Sequence, residues 1–131
     1  MSIKLYAPAG NFRANSILIA GELAGVPIEL VQTEYSETKT PEFLKKNPLG
    51  KIPTIETADG PIFETTAILR YIARVSGKLY GASNYEAGLV DQYLDANTSE
   101  LFPSLFTLLF PYFGFRQVEK EVLKAARTEA S

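Results

Sequence analysis

The first third of the chain is dominated by an alternating run, a helical run and a second extended run, each closed by turn residues. Ile3-Lys4-Leu5-Tyr6 alternates apolar and polar side chains and predicts a short strand that ends before Pro8-Ala9-Gly10. Asn11 is placed to cap the next segment, where Ala14, Ile17, Leu18 and Gly21 recur at helical spacing and Leu23 extends the stripe. Gly25 is a C-cap signal, and Pro27 blocks continuation of the helix. Ile28-Glu29-Leu30-Val31 then reads as a second strand. Strand, helix and strand this close in sequence form a βαβ unit, whose strands are expected to be parallel and its crossover right-handed.

The pattern continues with a polar loop and Thr40-Pro41, an N-cap followed by proline in the first helical position, opening a short helix to about Lys46. Asn47-Pro48-Leu49-Gly50 is a loop. Ile52–Thr57 reads as a strand, Ala58-Asp59-Gly60 as a tight turn and Pro61-Ile62-Phe63 as an antiparallel partner. Thr65 or Thr66 is expected to cap a helix running to about Val75, with Ile68, Leu69 and Ile72 on its apolar face and Gly77 at its end. The order βαβαββα over residues 1–77 predicts an α/β domain of thioredoxin-like type. Residues 78–83 read as a linker. Ser83-Asn84-Tyr85-Glu86 is a capping box that opens a further helix, and residues 84–131 carry helical patterning only, including the run Val118–Leu123. This second part is expected to be a partial all-α domain.

The chain of 131 residues contains no cysteine, no histidine and no tryptophan. Disulfides, thiolate nucleophiles, iron–sulfur clusters and thiolate or imidazole metal sites are therefore excluded, as is an imidazole general base. No metal is expected, and chemistry must run on hydroxyls, carboxylates, amines, amides and backbone groups. Thirteen basic and fifteen acidic side chains give a net charge of −2, with no basic stripe of the kind nucleic acids require. Leu101–Phe115 is uncharged, but it is too short to span a bilayer and is interrupted by Pro103, Pro111 and Gly114. It reads as a buried or interface segment. The start shows neither a signal core nor the glycine of a myristoylation site, so a cytoplasmic location is expected, with no membrane association.

Asn47-Pro48-Leu49-Gly50-Lys51-Ile52-Pro53, followed by Phe63-Glu64-Thr65-Thr66-Ala67-Ile68 in a thioredoxin-like half that leads into helices, resembles the glutathione transferases. The resemblance covers the first 80 residues or so. Within that superfamily, Asn11-Phe12-Arg13-Ala14, Glu86–Asp95 and the proline- and aromatic-rich run from Leu101 to Gly114 resemble the gamma subunits of the translation elongation factor 1 complex. Those subunits open with a transferase-like domain longer than this chain, so the sequence is expected to end inside its helical half.

The resemblance implies a glutathione site. Pro53 would be cis, which costs a prolyl bond only about 0.5–1 kcal/mol, and Ile52 would offer its backbone N–H and C=O to the cysteinyl unit of the peptide. Glu64 suits an ammonium, while the Thr65 hydroxyl and the helix N-terminus suit a carboxylate; together they match the γ-glutamyl end. Lys39 and Lys51 stand for the glycyl carboxylate, or are simply solvated. Serine-type transferases place a hydroxyl donor after the first strand, where this chain has Asn11. Its amide can donate to a thiolate, or the residue can serve as a helix cap alone. Tyr6 is the alternative donor, or a core tyrosine. Phe102, Phe106, Phe110, Tyr112, Phe113 and Phe115 line the co-substrate pocket in one reading; in the other, which is preferred, they are core or covered surface.

Two functions follow from the resemblance. One is a scaffold that anchors the nucleotide-exchange (beta) subunit of the elongation factor complex in support of protein synthesis, with room for a homodimer and no cofactor. The other is a thiol transferase joining glutathione or a related thiol to small electrophiles, with the thiol as co-substrate.

Overall fold

Ile3, Leu5 and Ala7 alternate with Lys4 and Tyr6 along the first strand, and the first three are completely buried. That period of two assigns one face of the strand to a core and the other to a second layer. The computed structural model describes residues 2–114 and 120–129. The chain divides into two compact units, Met1–Ala82 and Ser83–Ser131.

In the first unit, β1 (Ile3–Ala7), β2 (Ile28–Gln32), β3 (Thr54–Thr57) and β4 (Gly60–Phe63) form one sheet in the order β2-β1-β3-β4. β1 and β2 are parallel, with Ile3 opposite Ile28, as the βαβ reading requires. β3 runs antiparallel to both β1 and β4, and Thr54 lies opposite Phe63. Helices α1 (Phe12–Ala24) and α3 (Thr65–Ser76) cover one face and close a core of Ile3, Leu5, Ala7, Ala14, Ile17, Ala24, Ile55, Ile68 and Ile72. The short helix α2 (Pro41–Lys46) packs on the opposite face, where the Phe43 ring meets the Tyr6 ring edge-on at 6.3 Å. The fold is the expected α/β thioredoxin-like arrangement.

Local signals account for the element ends. The Asn11 side chain accepts hydrogen bonds from the backbone N–H groups of Arg13 and Ala14, and Gly25 closes α1 in the left-handed region at φ 74°. Thr40 caps α2 with Pro41 at its first position. Gly77 closes α3 at φ 65°.

Four expectations are corrected. Leu23 is exposed rather than buried: α1 presses its Gly21 against β2, where an added Cβ would lie 2.5 Å from Ile28 Cδ1, and two residues further on the helix has turned away. The polar loop after β2 contains a 3-10 turn, Tyr35–Lys39. β3 starts at Thr54 and not at Ile52, since Pro53 has no N–H for the ladder. Neither Thr65 nor Thr66 caps α3; both lie inside it, and the capping position is Glu64, which makes no side-chain capping bond.

The second unit contains α4 (Asn84–Ala96), a π-helical turn (Asn97–Leu101), α5 (Phe102–Leu109) and α6 (Lys120–Glu129). Ser83 opens α4 by accepting the Glu86 N–H at 3.2 Å. Rings of Phe102, Phe106 and Phe110 stack along α5 with centroids 5.3 and 5.1 Å apart. They are half-buried, while Tyr112 and Phe113 are exposed, so of the two parts of the preferred reading, core or covered surface, Tyr112 and Phe113 do not belong to a core. Phe115, Val118 and Glu119 lie outside the described residues. No helix among the described residues is long and apolar enough to cross a membrane.

Candidate functional site

Three segments of the first unit meet at one end of the sheet. The register that sets Thr54 against Phe63 brings Pro53, just before β3, alongside Glu64, just after β4. The Ile52–Pro53 peptide is cis. Ile52 is largely buried, and its backbone N–H and C=O make no hydrogen bond to the described residues. A strand-like pairing edge one residue long is thus left open beside the mouth of α3.

The loop that carries this edge is pinned from behind by Asn47. Its side chain is 2% exposed; Nδ2 donates to the Lys51 carbonyl at 2.8 Å and to Thr54 Oγ1 at 3.1 Å, and Oδ1 accepts the Leu49 N–H at 3.0 Å. The Thr54 hydroxyl donates in turn to the Lys51 carbonyl at 2.9 Å. Gly50 turns the loop at φ 58°; a Cβ there would lie 2.8 Å from the Thr38 carbonyl oxygen, so the position takes only glycine without a shift. Sequence reading passed over Asn47 and Thr54. An asparagine three residues ahead of a glycine and four ahead of a carbonyl needing a partner was the available signal, but only burial makes it compelling.

At the mouth of α3, Glu64 adopts φ 71° and ψ 119°. A non-glycine residue there is strained by about 1–3 kcal/mol, a feature concentrated at ligand sites. The Glu64 side chain is exposed and makes no hydrogen bond or ion pair with the described residues. The Glu64 carbonyl accepts the Ile68 N–H at 3.0 Å, while the N–H groups of Thr65, Thr66 and Ala67 find no partner among the described residues. Three orphan donors at the positive end of a helix favour an anion, and the adjacent carboxylate favours a cation.

Lys39 and Lys51 are placed differently from each other. Lys39 Nζ donates to the carbonyls of Leu49 and Gly50 at 3.3 and 3.0 Å, so it braces the loop. The Lys51 side chain is exposed beside Ile52, while its carbonyl is the one held by Asn47 and Thr54.

Asn11 stands at the mouth of α1. Its Oδ1 serves the helix cap, which fixes the orientation of the amide, and Nδ2 donates to the Tyr35 hydroxyl at 3.3 Å. The cap and donor readings are compatible, because they use different atoms. Of the two readings of Tyr6, donor or packed tyrosine, the structure places the ring against Phe43, and its hydroxyl donates to Glu56 Oε2 at 2.6 Å on the α2 face, where Lys46 Nζ reaches the same oxygen at 2.9 Å. Burial, then the Glu56 carboxylate, pushes the Tyr6 hydroxyl above its ordinary range. The same hydrogen bond from Tyr6, followed by that from Lys46, holds the Glu56 carboxyl below its ordinary value. The Tyr6 hydroxyl proton is thus committed to Glu56, whereas one Asn11 amide hydrogen is given to Tyr35. The small hollow on that face, lined by Tyr6, Gln32, Thr40, Phe43 and Lys46 among others, does not include Ile52, Pro53 or Glu64.

Comparison with known proteins decides the family. The description "Glutathione S-transferase, N-terminal domain" matches residues 1–74, more than half of the chain. The chain belongs to this family. The transferase fold extends beyond the matched part: a crystal structure of a poplar glutathione transferase superposes with a TM-score of 0.86 at 25% identity, covering 99% of this chain and 64% of that one. The sequence is also similar to elongation factor 1-gamma 2 of rice (Oryza sativa subsp. japonica), 43% identical over 118 residues, 87% of this chain and 28% of the relative. Probable elongation factor 1-gamma 2 of Arabidopsis thaliana is 38% identical over 130 residues, 96% of this chain and 32% of the relative. The chain is thus an elongation-factor-1-gamma-like protein of transferase fold, and it spans about a third of the length of these curated relatives.

Proposed function

We propose that the chain is a transferase-like scaffold of a translation elongation factor 1 complex, anchoring the nucleotide-exchange (beta) subunit in the cytoplasm in support of protein synthesis. The observation that carries this reading is the 43% identity to an elongation factor 1-gamma over 118 residues, running through both units. A scaffold needs a stable fold and a docking surface, and no reaction of its own. The test is retention of the purified nucleotide-exchange subunit by the immobilised chain. Stoichiometric retention is expected. Passage of that subunit through the column at micromolar concentrations of both would overturn the reading.

A second reading is favoured by a specific geometry: the open backbone edge at Ile52 beside the uncapped mouth of α3. We infer that this slot takes glutathione or a related thiol peptide, and the two readings coexist in one molecule. Ile52 pairs with the cysteinyl backbone; Glu64, Thr65 and the orphan N–H groups take the γ-glutamyl ammonium and carboxylate; Lys51 faces the glycyl carboxylate, with Lys39 bracing the loop behind it. Asn11 donates to the sulfur. If the bound thiol also reacts with electrophiles, the rate comes from orientation and a lowered thiol pKa, with no general base needed. A calorimetric titration with glutathione on the wild-type chain and on Glu64→Ala checks the slot. Binding by the wild type and its loss in the variant are expected; equal binding by both would refute the placement.

A further inference from the structure

The 3-10 turn Tyr35–Lys39 is tied both to the loop that carries Ile52 and to Asn11 at the mouth of α1. At its last residue, Lys39 Nζ holds the Leu49 and Gly50 carbonyls just ahead of Ile52. At its first residue, the Tyr35 hydroxyl accepts the Asn11 amide at 3.3 Å. The turn itself stands on main-chain and neighbouring contacts: Thr38 Oγ1 donates to the Tyr35 carbonyl, the Glu37 N–H to the Glu34 carbonyl, and the Glu34 N–H to the Glu37 carboxylate. The Tyr35 side chain is therefore not needed to build the turn. It is 61% exposed, and its hydroxyl proton is given to no described residue.

Proton accounting makes the pair unusual. Asn11 Oδ1 is occupied by two backbone N–H groups, so its NH2 must point outward, and one of its two hydrogens goes to Tyr35. That leaves one amide N–H and one phenolic O–H, side by side and unspent, at the position where a transferase presents its single donor. A tyrosine hydroxyl that accepts a hydrogen bond becomes a better donor through its own proton. Two adjacent donors suit an acceptor that is large and negatively charged, which a thiolate is and a neutral thiol is not.

We propose that Asn11 and Tyr35 act as a donor pair that holds the bound peptide's sulfur as a thiolate, with the Tyr35 hydroxyl supplying the donor that asparagine alone replaces poorly. This rests on the thiol-peptide reading given above. The S–H bond breaks as the thiol binds, its proton goes to solvent water, and the electron pair stays on sulfur facing the two donors. No residue of the chain needs to serve as a base.

The test is a pH titration of glutathione bound to the full chain, following the ultraviolet absorbance of the thiolate, on the wild type, Tyr35→Phe and Asn11→Asp. Asn11→Asp keeps a capping oxygen for α1 while removing the amide donor. One hydrogen bond to a charged acceptor corresponds to about one pKa unit, or about tenfold in thiolate affinity. The wild type is expected to bind with a thiol pKa below that of free glutathione. Tyr35→Phe raises the bound pKa by about one unit, and Asn11→Asp raises it by at least as much. Affinity of Tyr35→Phe at acidic pH, where the thiol is neutral, is expected to match the wild type, with a gap of about tenfold opening only at alkaline pH. A lowered pKa that is the same in wild type and Tyr35→Phe overturns the pair while leaving the slot intact. A uniform affinity loss at every pH makes Tyr35 a purely structural residue and overturns it as well. Absence of glutathione binding by the wild type overturns the slot, and the pair with it.

Discussion

Glu64 offers a direct measurement of what the slot costs the fold. It is an exposed glutamate at φ 71° and ψ 119°, with no side-chain bond to any described residue. Replacing it with glycine removes the Cβ that makes this conformation unfavourable, relieving about 1–3 kcal/mol of strain. Glycine also gives the unfolded chain more freedom, which returns about 0.5–1 kcal/mol of the gain. No folded-state contact of the side chain enters the comparison, so Glu64→Gly should stabilise the protein by about 0.5–2 kcal/mol. Glu64→Ala keeps the Cβ and therefore the strain, and should change stability by less than about 0.5 kcal/mol. Urea unfolding followed by circular dichroism reads both as midpoint shifts at constant slope. Both variants should lose glutathione binding, since both lose the carboxylate. A Glu64→Gly protein no more stable than Glu64→Ala would refute the claim that the backbone is held there at a cost.

Two further substitutions probe the loop behind the slot and the polar cluster on the α2 face. Asn47→Ala deletes three hydrogen bonds of a buried side chain and leaves the Leu49 N–H without its partner; a loss of about 2–4 kcal/mol in urea unfolding is expected, and a loss under about 0.5 kcal/mol would mean that the loop does not depend on it. Glu56 has its carboxyl held below its ordinary value of 4.5 in the fold, so the unfolded chain binds more protons. Its stabilising contribution is complete above pH 4.5 and is lost as the pH falls through the lower folded value. Glu56→Gln should therefore flatten the acid side of a stability-versus-pH curve, by no more than about 1 kcal/mol because the pair is partly exposed. An unchanged acid limb in this variant would count against the Tyr6–Glu56–Lys46 cluster.

The amino-acid sequence by itself determined the order of elements and most of their ends, because those depend on local chemistry. Asn11, Thr40 and Ser83 cap helices wherever they stand before one, Gly25 and Gly77 end them, and Ile3-Lys4-Leu5-Tyr6 alternates in any sheet with one buried face. Motif likeness also marked Ile52, Pro53, Glu64 and Thr65. The tertiary structure decided which atoms of those residues are spent and which are left over. Tyr6 and Asn11 are both plausible donors on paper; only the fold sets Tyr6 against Glu56 and Asn11 against Tyr35, partners 50 and 24 positions away in sequence. Glu64 likewise stands at an uncapped helix start at positive φ beside Pro53, a placement visible only once β3 is paired with β4. Hydrogen-bond availability is a property of three-dimensional neighbourhoods, and a linear pattern carries no record of it.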